Sequence, residues 1–248
     1  MRKEGYEEIY DFERTHWWFK TRRTLFLSQV ARAVDELNGG RARILDFGCG
    51  TGFNFRFLKE YGEVTGADLY VDRIREYQKD EYELIDLQQD LDPHYGQFDI
   101  VTALDVIEHA EDDLSVLNDV WRLLSESGQL IITVPAYPWL WSGEDIISEH
   151  QRRYTIPMLR ELISQTEFRI QFISHFNLSI LPGMAFVIFA KKILMPETAK
   201  QEGNVGPVNP LLNGILSGIT NLENSLVGSQ RIRLPAGPSI VCRLSKNC

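Results

Sequence analysis

The chain has 248 residues, 44% of them hydrophobic and 25% charged, with 18 Gly and 10 Pro, which excludes disordered, collagen-like and coiled-coil classes. Lys and Arg number 26 against 35 Asp and Glu, a net charge of −9, so nucleic acid is not an expected partner. The one basic cluster (Arg14, Lys20, Arg22, Arg23 and Arg32) is interleaved with Trp17, Trp18, Phe19, Leu25 and Phe26, and it reads as a packed helix rather than a free basic arm.

Residues 1–40 read as a helical lead-in, because Trp18, Arg22, Leu25, Phe26, Val30, Val34 and Leu37 recur at helical spacing before Gly39–Gly40. A strand, turn and helix follow from Arg43. A second strand ends at Asp68, a third lies near Glu83 to Leu87, and a fourth covers Phe98 to Leu104. The fourth is almost continuously apolar, as a strand buried on both faces should be. A helix is expected over Asp112 to Leu124, stopped by Gly128, and the run QLIITVP is the fifth strand. Ile156 to Gln165 reads as a helix, Phe168 to Ser174 as a sixth strand and SIVCRLSK as a seventh. Strands alternating with helices imply a doubly wound, mostly parallel α/β sheet.

This divides a single domain into an N-terminal helical cap (1–40), a core (41–176), an insertion or lid (177–235) and the last strand (236–248). The most apolar stretch, Leu178 to Leu194, contains Pro182 and Gly183 and ends in Lys191–Lys192. It is shorter than the ~20 apolar residues that span a bilayer, but it fits an amphipathic lid or an interfacial helix. Cys49, Cys242 and Cys248 give no disulfide framework, and the first residues lack the apolar core of a signal peptide. A cytoplasmic location is expected, with peripheral membrane contact open.

The strongest motif is Asp46-Phe-Gly48-Cys49-Gly50-Thr-Gly52, directly after a strand and opening a helix. Glycines let the backbone pass close to a ligand and aim the helix N-terminus at it. Asp68, at the end of the next strand, is placed to accept hydrogen bonds from both hydroxyls of a ribose. The turn is not the G-x-G-x-x-G of dinucleotide folds, and an acid at Asp46 disfavours a pyrophosphate by like-charge repulsion. It suits a cationic ligand with a ribose and no phosphate, such as S-adenosyl-L-methionine.

At ILDFGCGTG (44–52), GADL (66–69), QQDL (88–91), FDIVTALDVIEHA (98–110) and LLSESGQLIITVP (123–135) the chain resembles the Rossmann-like S-adenosylmethionine-dependent methyltransferases. HWWFKTRR and SEHQRRYT are similar to a bacterial, type-11/12-like branch acting on small molecules. The resemblance implies a seven-stranded sheet with an antiparallel last strand. It also implies that Asp46, Gly48, Cys49, Gly50 and Gly52 shape the methionine end of the cofactor site. By the same resemblance Asp68 takes the ribose and Leu69 packs on the adenine. Asp90 and the Leu91 N–H meet the adenine edge, and Asp105 and Val106 line the sulfonium end. Arg22 is the expected partner of the donor's carboxylate, and the Trp17–Trp18 pair caps the site.

Methyl transfer from a sulfonium needs alignment in a dry site, and a base only where the nucleophile must lose a proton. The candidate bases lie beyond strands four and five: His109, preceded by Glu108, and His150. One carboxylate and one histidine do not make a metal site, so none is expected. Trp141, Arg152, Arg153 and Tyr154 are the candidate acceptor contacts, with Arg suited to an anionic group. The expected acceptor is a small molecule, glycan or lipid-linked intermediate, methylated on oxygen. The alternatives are an NAD-type oxidoreductase and a non-catalytic nucleotide-binding protein.

Overall fold

The computed structural model describes residues 10–37, 41–78, 82–194 and 206–246. Its centre is a seven-stranded sheet in the order β3-β2-β1-β4-β5-β7-β6. The strands are β1 (Ala42–Phe47), β2 (Gly62–Asp68), β3 (Glu83–Asp86), β4 (Phe98–Leu104), β5 (Leu124–Pro135), β6 (Phe168–Phe176) and β7 (Ser239–Lys246). The first five are parallel, whereas β7 runs antiparallel between β5 and β6. This is the expected α/β architecture, including its reversed last strand.

Parallel pairing brings the carboxyl ends of β1, β2, β4 and β5 to one edge: Asp46 lies opposite Gly66 and Thr102, and Leu104 opposite Thr133. The loops leaving that edge carry the polar residues identified above, as ligand sites of open α/β sheets do. One boundary differs from the sequence pattern. The helix over Asp113–Leu123 is not stopped by Gly128: Leu124 is already extended and pairs with Phe98, and the strand resumes regular pairing at Gln129 after a register shift. Gly128 therefore sits inside β5, in a bulge where a Cβ would lie 2.8 Å from Leu124 Cδ2. The expected helix end at Gly39–Gly40 lies outside the described residues.

Helix α1 (Trp17–Asp35) buries Phe26, Val30 and Ala33 against Ala42, Ile44, Ile100 and Ile131 of the sheet. The region between β6 and β7 supplies two further helices, α2 (Leu181–Leu194) and α3 (Pro210–Gly228). Helix α3 is fastened to α1 rather than to the sheet alone. Asn224 Nδ2 donates to the Thr21 carbonyl at 3.1 Å, Arg32 reaches the Gly228 and Ser229 carbonyls at 3.0 and 2.8 Å, and the Trp17 N–H donates to Asn213 Oδ1 at 2.8 Å. Leu25, fully buried, joins Val227 of α3 to Phe172, Phe176 and Val241 of the sheet. Truncating it leaves a cavity shared by three layers. Leu25→Ala should lower stability by about 2–5 kcal/mol, seen as a lower urea midpoint with an unchanged slope.

Candidate active site

The turn after β1 is held to the sheet by two hydrogen bonds, from the Gly48 and Cys49 N–H groups to the Ala67 carbonyl at 2.7 and 3.1 Å. Gly48, Gly50 and Gly52 all have positive φ, at 70°, 58° and 69°, a region that L side chains enter at a cost. A Cβ on Gly48 would lie 2.5 Å from Val106 Cγ2, whereas one on Gly50 would meet no atom within 4 Å. Gly48 is thus fixed by protein packing, and Gly50 faces open space. Cys49 packs with Phe55 and Ile74, and burial pushes its thiol well up.

Two buried carboxylates flank the turn. Asp68 Oδ2 accepts from the Gly50 N–H at 2.9 Å and Oδ1 from the Tyr70 N–H at 3.1 Å. Asp46 Oδ1 accepts from the Thr102 hydroxyl at 2.7 Å, but its Oδ2 is buried without a partner. Burial, with the nearby charge of Asp68 adding to it, pushes Asp46 up to about 7. Leu69 is 49% exposed beside Asp68. Asp90 is exposed and accepts the Asp92 N–H at 3.0 Å, while Leu91 is partly buried against the core.

The N-terminal segment closes over this turn through contacts to Glu13 and Asn54, residues that the sequence did not single out. The Thr51 hydroxyl donates to Glu13, and Arg23 donates to Asn54 Oδ1 and to the Glu13 carbonyl while lying over the Phe53 and Phe57 rings. Burial raises Glu13 to about 7, against the pull of Thr51 and Arg23. Farther along α1, Arg22 is ion-paired with Asp105 and donates to Ser239 Oγ at 2.9 Å. Its guanidinium lies 4.9 Å from the Trp18 ring centroid and 5.2 Å from that of Phe176. Asp105 has φ 56° and receives the Thr133 hydroxyl at 3.1 Å. No spacing signal announces a pair 83 residues apart in sequence.

The acceptor-side candidates divide into two groups. Glu108 and His109 occupy the turn after β4, and His150 ends the loop after β5. The Gln151 N–H donates to the Glu108 carbonyl at 2.7 Å and ties the two segments together. The His109 and His150 ring centroids are 4.6 Å apart. His150 Nδ1 bonds Asp145 Oδ1 at 2.9 Å, and Asp145 also receives Arg153 Nε at 2.6 Å and the Ser142 N–H at 2.8 Å. Burial opposes the Asp145 charge, but His150 and Arg153 outweigh it and hold the carboxyl at about 2. Desolvation of its inner face and the neighbouring His150 ring push His109 down to about 4, although its outer edge is exposed. Both Glu108 oxygens are buried with no hydrogen-bond partner, and burial raises the group well above the usual carboxylate range, with Asp105 adding to the effect.

The other candidates hold the loop. Arg152 pairs with Asp113 at 2.8 Å and reaches the Ala110 and Glu111 carbonyls. The buried Tyr154 donates to the same Asp113 carboxylate at 2.8 Å. Arg153, also buried, reaches the Ala136 carbonyl besides Asp145. Trp141 is partly buried at the start of the loop.

The model of the methyltransferase domain family matches residues 18–176. A ubiquinone biosynthesis O-methyltransferase of Pseudomonas aeruginosa is 33% identical over 110 residues, 40% of this chain and 47% of that protein. The chain therefore spans about half the length of the curated relatives it matches. Among solved structures, a SAM-dependent methyltransferase from Archaeoglobus fulgidus aligns with TM-score 0.54 at 17% identity, over 96% of this chain and 99% of that one. The plantazolicin methyltransferase BpumL, solved with SAH, aligns with TM-score 0.55 at 15% identity, over 99% and 91%. These two similarities speak to the fold.

The glycine geometry separates structure from binding. Gly48→Ala should lose more folding stability than Gly50→Ala, because the first adds a clash with Val106 to the backbone strain. Gly50→Ala should lose only the left-handed penalty of about 1–2 kcal/mol. Urea unfolding of the two variants checks the order.

Proposed function

The chain belongs to the methyltransferase domain family, and on that footing we propose that it transfers a methyl group from S-adenosyl-L-methionine to an oxygen of a small-molecule acceptor. The observation that carries the reading is Asp46: a buried carboxylate with one unpartnered oxygen, at the mouth of a turn built from three left-handed glycines. That donor set fits a cationic ligand and repels a phosphate. S-adenosyl-L-methionine, when bound, supplies a methyl group already activated on a positively charged sulfur.

Asp46 takes the ammonium end, with Gly48, Cys49, Gly50 and Gly52 giving the backbone room. Asp68 takes the ribose hydroxyls, its two oxygens already aimed by the Gly50 and Tyr70 N–H groups. Leu69 lies along the adenine, and Asp90 with the Leu91 N–H meets the adenine edge. Arg22 offers its guanidinium to the donor's carboxylate from a position fixed by Asp105. Asp105 and Val106 line the sulfonium end, and the Glu13–Thr51 and Arg23–Asn54 contacts keep water from the methionine side. On the acceptor side, His109 and His150 face the acceptor's hydroxyl. Trp141 walls that space. Arg152, Arg153 and Tyr154 act on the acceptor by fixing the loop that carries His150. The oxygen specificity is supported by the curated relatives' name, O-methyltransferase.

An apolar or lipid-linked acceptor is favoured by one further observation. Helices α2 and α3 expose Phe186, Ile193, Leu211 and Leu222 at 68–77%, more than scattered surface residues explain. No helix among the described residues is long and apolar enough to cross a membrane, so the contact with lipid would be peripheral.

Calorimetric titration tests the donor. S-adenosyl-L-methionine should bind and NAD should not, and Asp68→Ala should weaken binding 10- to 100-fold, the equivalent of losing charge-assisted hydrogen bonds of about 1.5–3 kcal/mol. Affinity should rise as pH increases through about 7, where Asp46 gives up its proton, and Asp46→Asn should flatten that profile. NAD binding in place of the sulfonium donor would overturn the reading. For the apolar surface, the protein should sediment with phospholipid vesicles, and Phe186→Asp with Leu222→Asp should release it.

A further inference from the structure

Glu108, His109 and His150 each offer a ligand atom, and those atoms all lie within 4.8 Å of one another. We propose that this cluster is a binding site for a divalent transition-metal ion of the zinc, manganese or iron group. The proposal rests on the acceptor-side reading above and says in what capacity the two imidazoles serve there: as ligands.

Three observations support it. Glu108 is fully buried and neither of its oxygens has a hydrogen-bond donor, which leaves a carboxylate whose natural complement is a cation. The two arginines nearest in charge are already paired, Arg22 with Asp105 and Arg153 with Asp145, and among the described residues neither Glu108 oxygen receives a hydrogen bond. His150 is oriented through Nδ1 by Asp145, which is itself fixed by the Ser142 N–H and Arg153. That leaves Nε2 as the free lone pair, in the carboxylate–histidine arrangement that orients metal-bound imidazoles. Two imidazoles and one carboxylate suit borderline divalent ions, and three protein ligands leave coordination positions open on the acceptor side.

The residues come from two loops, so the site exists only in the folded chain. The Gln151 N–H to Glu108 carbonyl bond sets the distance between the loops. Metal binding should therefore stabilise the native state and raise its melting temperature.

The test uses the full chain, stripped with a chelator and dialysed against Zn2+ or Mn2+ alone, with bound metal counted by elemental analysis. About one equivalent should bind, together with a rise in melting temperature. Glu108→Gln and His150→Ala should each lower occupancy at least tenfold and abolish that rise. Circular dichroism of both variants shows whether they fold, and His109→Ala provides a third, independent ligand deletion. No binding by the folded wild-type chain, or occupancy unchanged in the folded variants, overturns the site. Titration of S-adenosyl-L-methionine into the same metal-free protein separates the two proposals: its failure sinks the methyl-transfer reading and leaves the metal count standing on its own.

Discussion

The site is governed by the negative charge that a parallel sheet gathers at its carboxyl edge. Asp46 and Asp68 lie at the carboxyl ends of β1 and β2, Asp105 and Glu108 follow β4, and Asp46, Asp68 and Glu108 are buried there. A buried carboxylate is tolerated when hydrogen bonds or a cation compensate it. Asp68 is compensated by backbone N–H groups and Asp105 by Arg22. Asp46 keeps one unpartnered oxygen and Glu108 keeps two.

This charge balance also explains why α1 matters to a site made mostly by loops. It brings Arg22 to Asp105 and Arg23 to the Glu13–Thr51 contact, and the Trp18 and Phe176 rings enclose the first of these guanidiniums. Helix α3 fixes α1 through Asn224, Asn213 and the Gly228 carbonyl. Residues far from the glycine turn thus hold the guanidinium that neutralises Asp105 and the one that bonds the Glu13 carbonyl, and packing of the insertion is coupled to the electrostatics of the edge.

Much of this was legible in the sequence, for local reasons. The glycine turn, Asp68 and the run from Phe98 to Leu104 announce themselves through spacing, because backbone conformation and two-faced burial are written in neighbouring residues. Helix ends were less readable: Gly128 has the residue type of a helix stop, yet the pairing of Leu124 with Phe98 brings the strand forward to Leu124. Glu13, Thr102 and Ser239 carried no signal of a role in the site. Each is a common polar residue whose importance comes from a partner that is distant in sequence, and a hydrogen bond between β7 and α1 has no period.

The acceptor side shows the same limit in its sharpest form. In sequence, Glu108 and His109 are a carboxylate and a histidine on a turn, and His150 is one of several polar residues in a loop that also holds Glu144, Asp145, Glu149, Arg152 and Arg153. Within that loop Arg153 pairs with Asp145, and His150 Nδ1 bonds the same carboxylate. Because Asp145 takes both Arg153 and His150 Nδ1, its burial does not leave it in want of a cation, whereas Glu108 does remain so. The difference between two buried acids in adjoining loops therefore lies in their partners: Asp145 receives His150, Arg153 and the Ser142 N–H, whereas neither Glu108 oxygen receives a hydrogen bond.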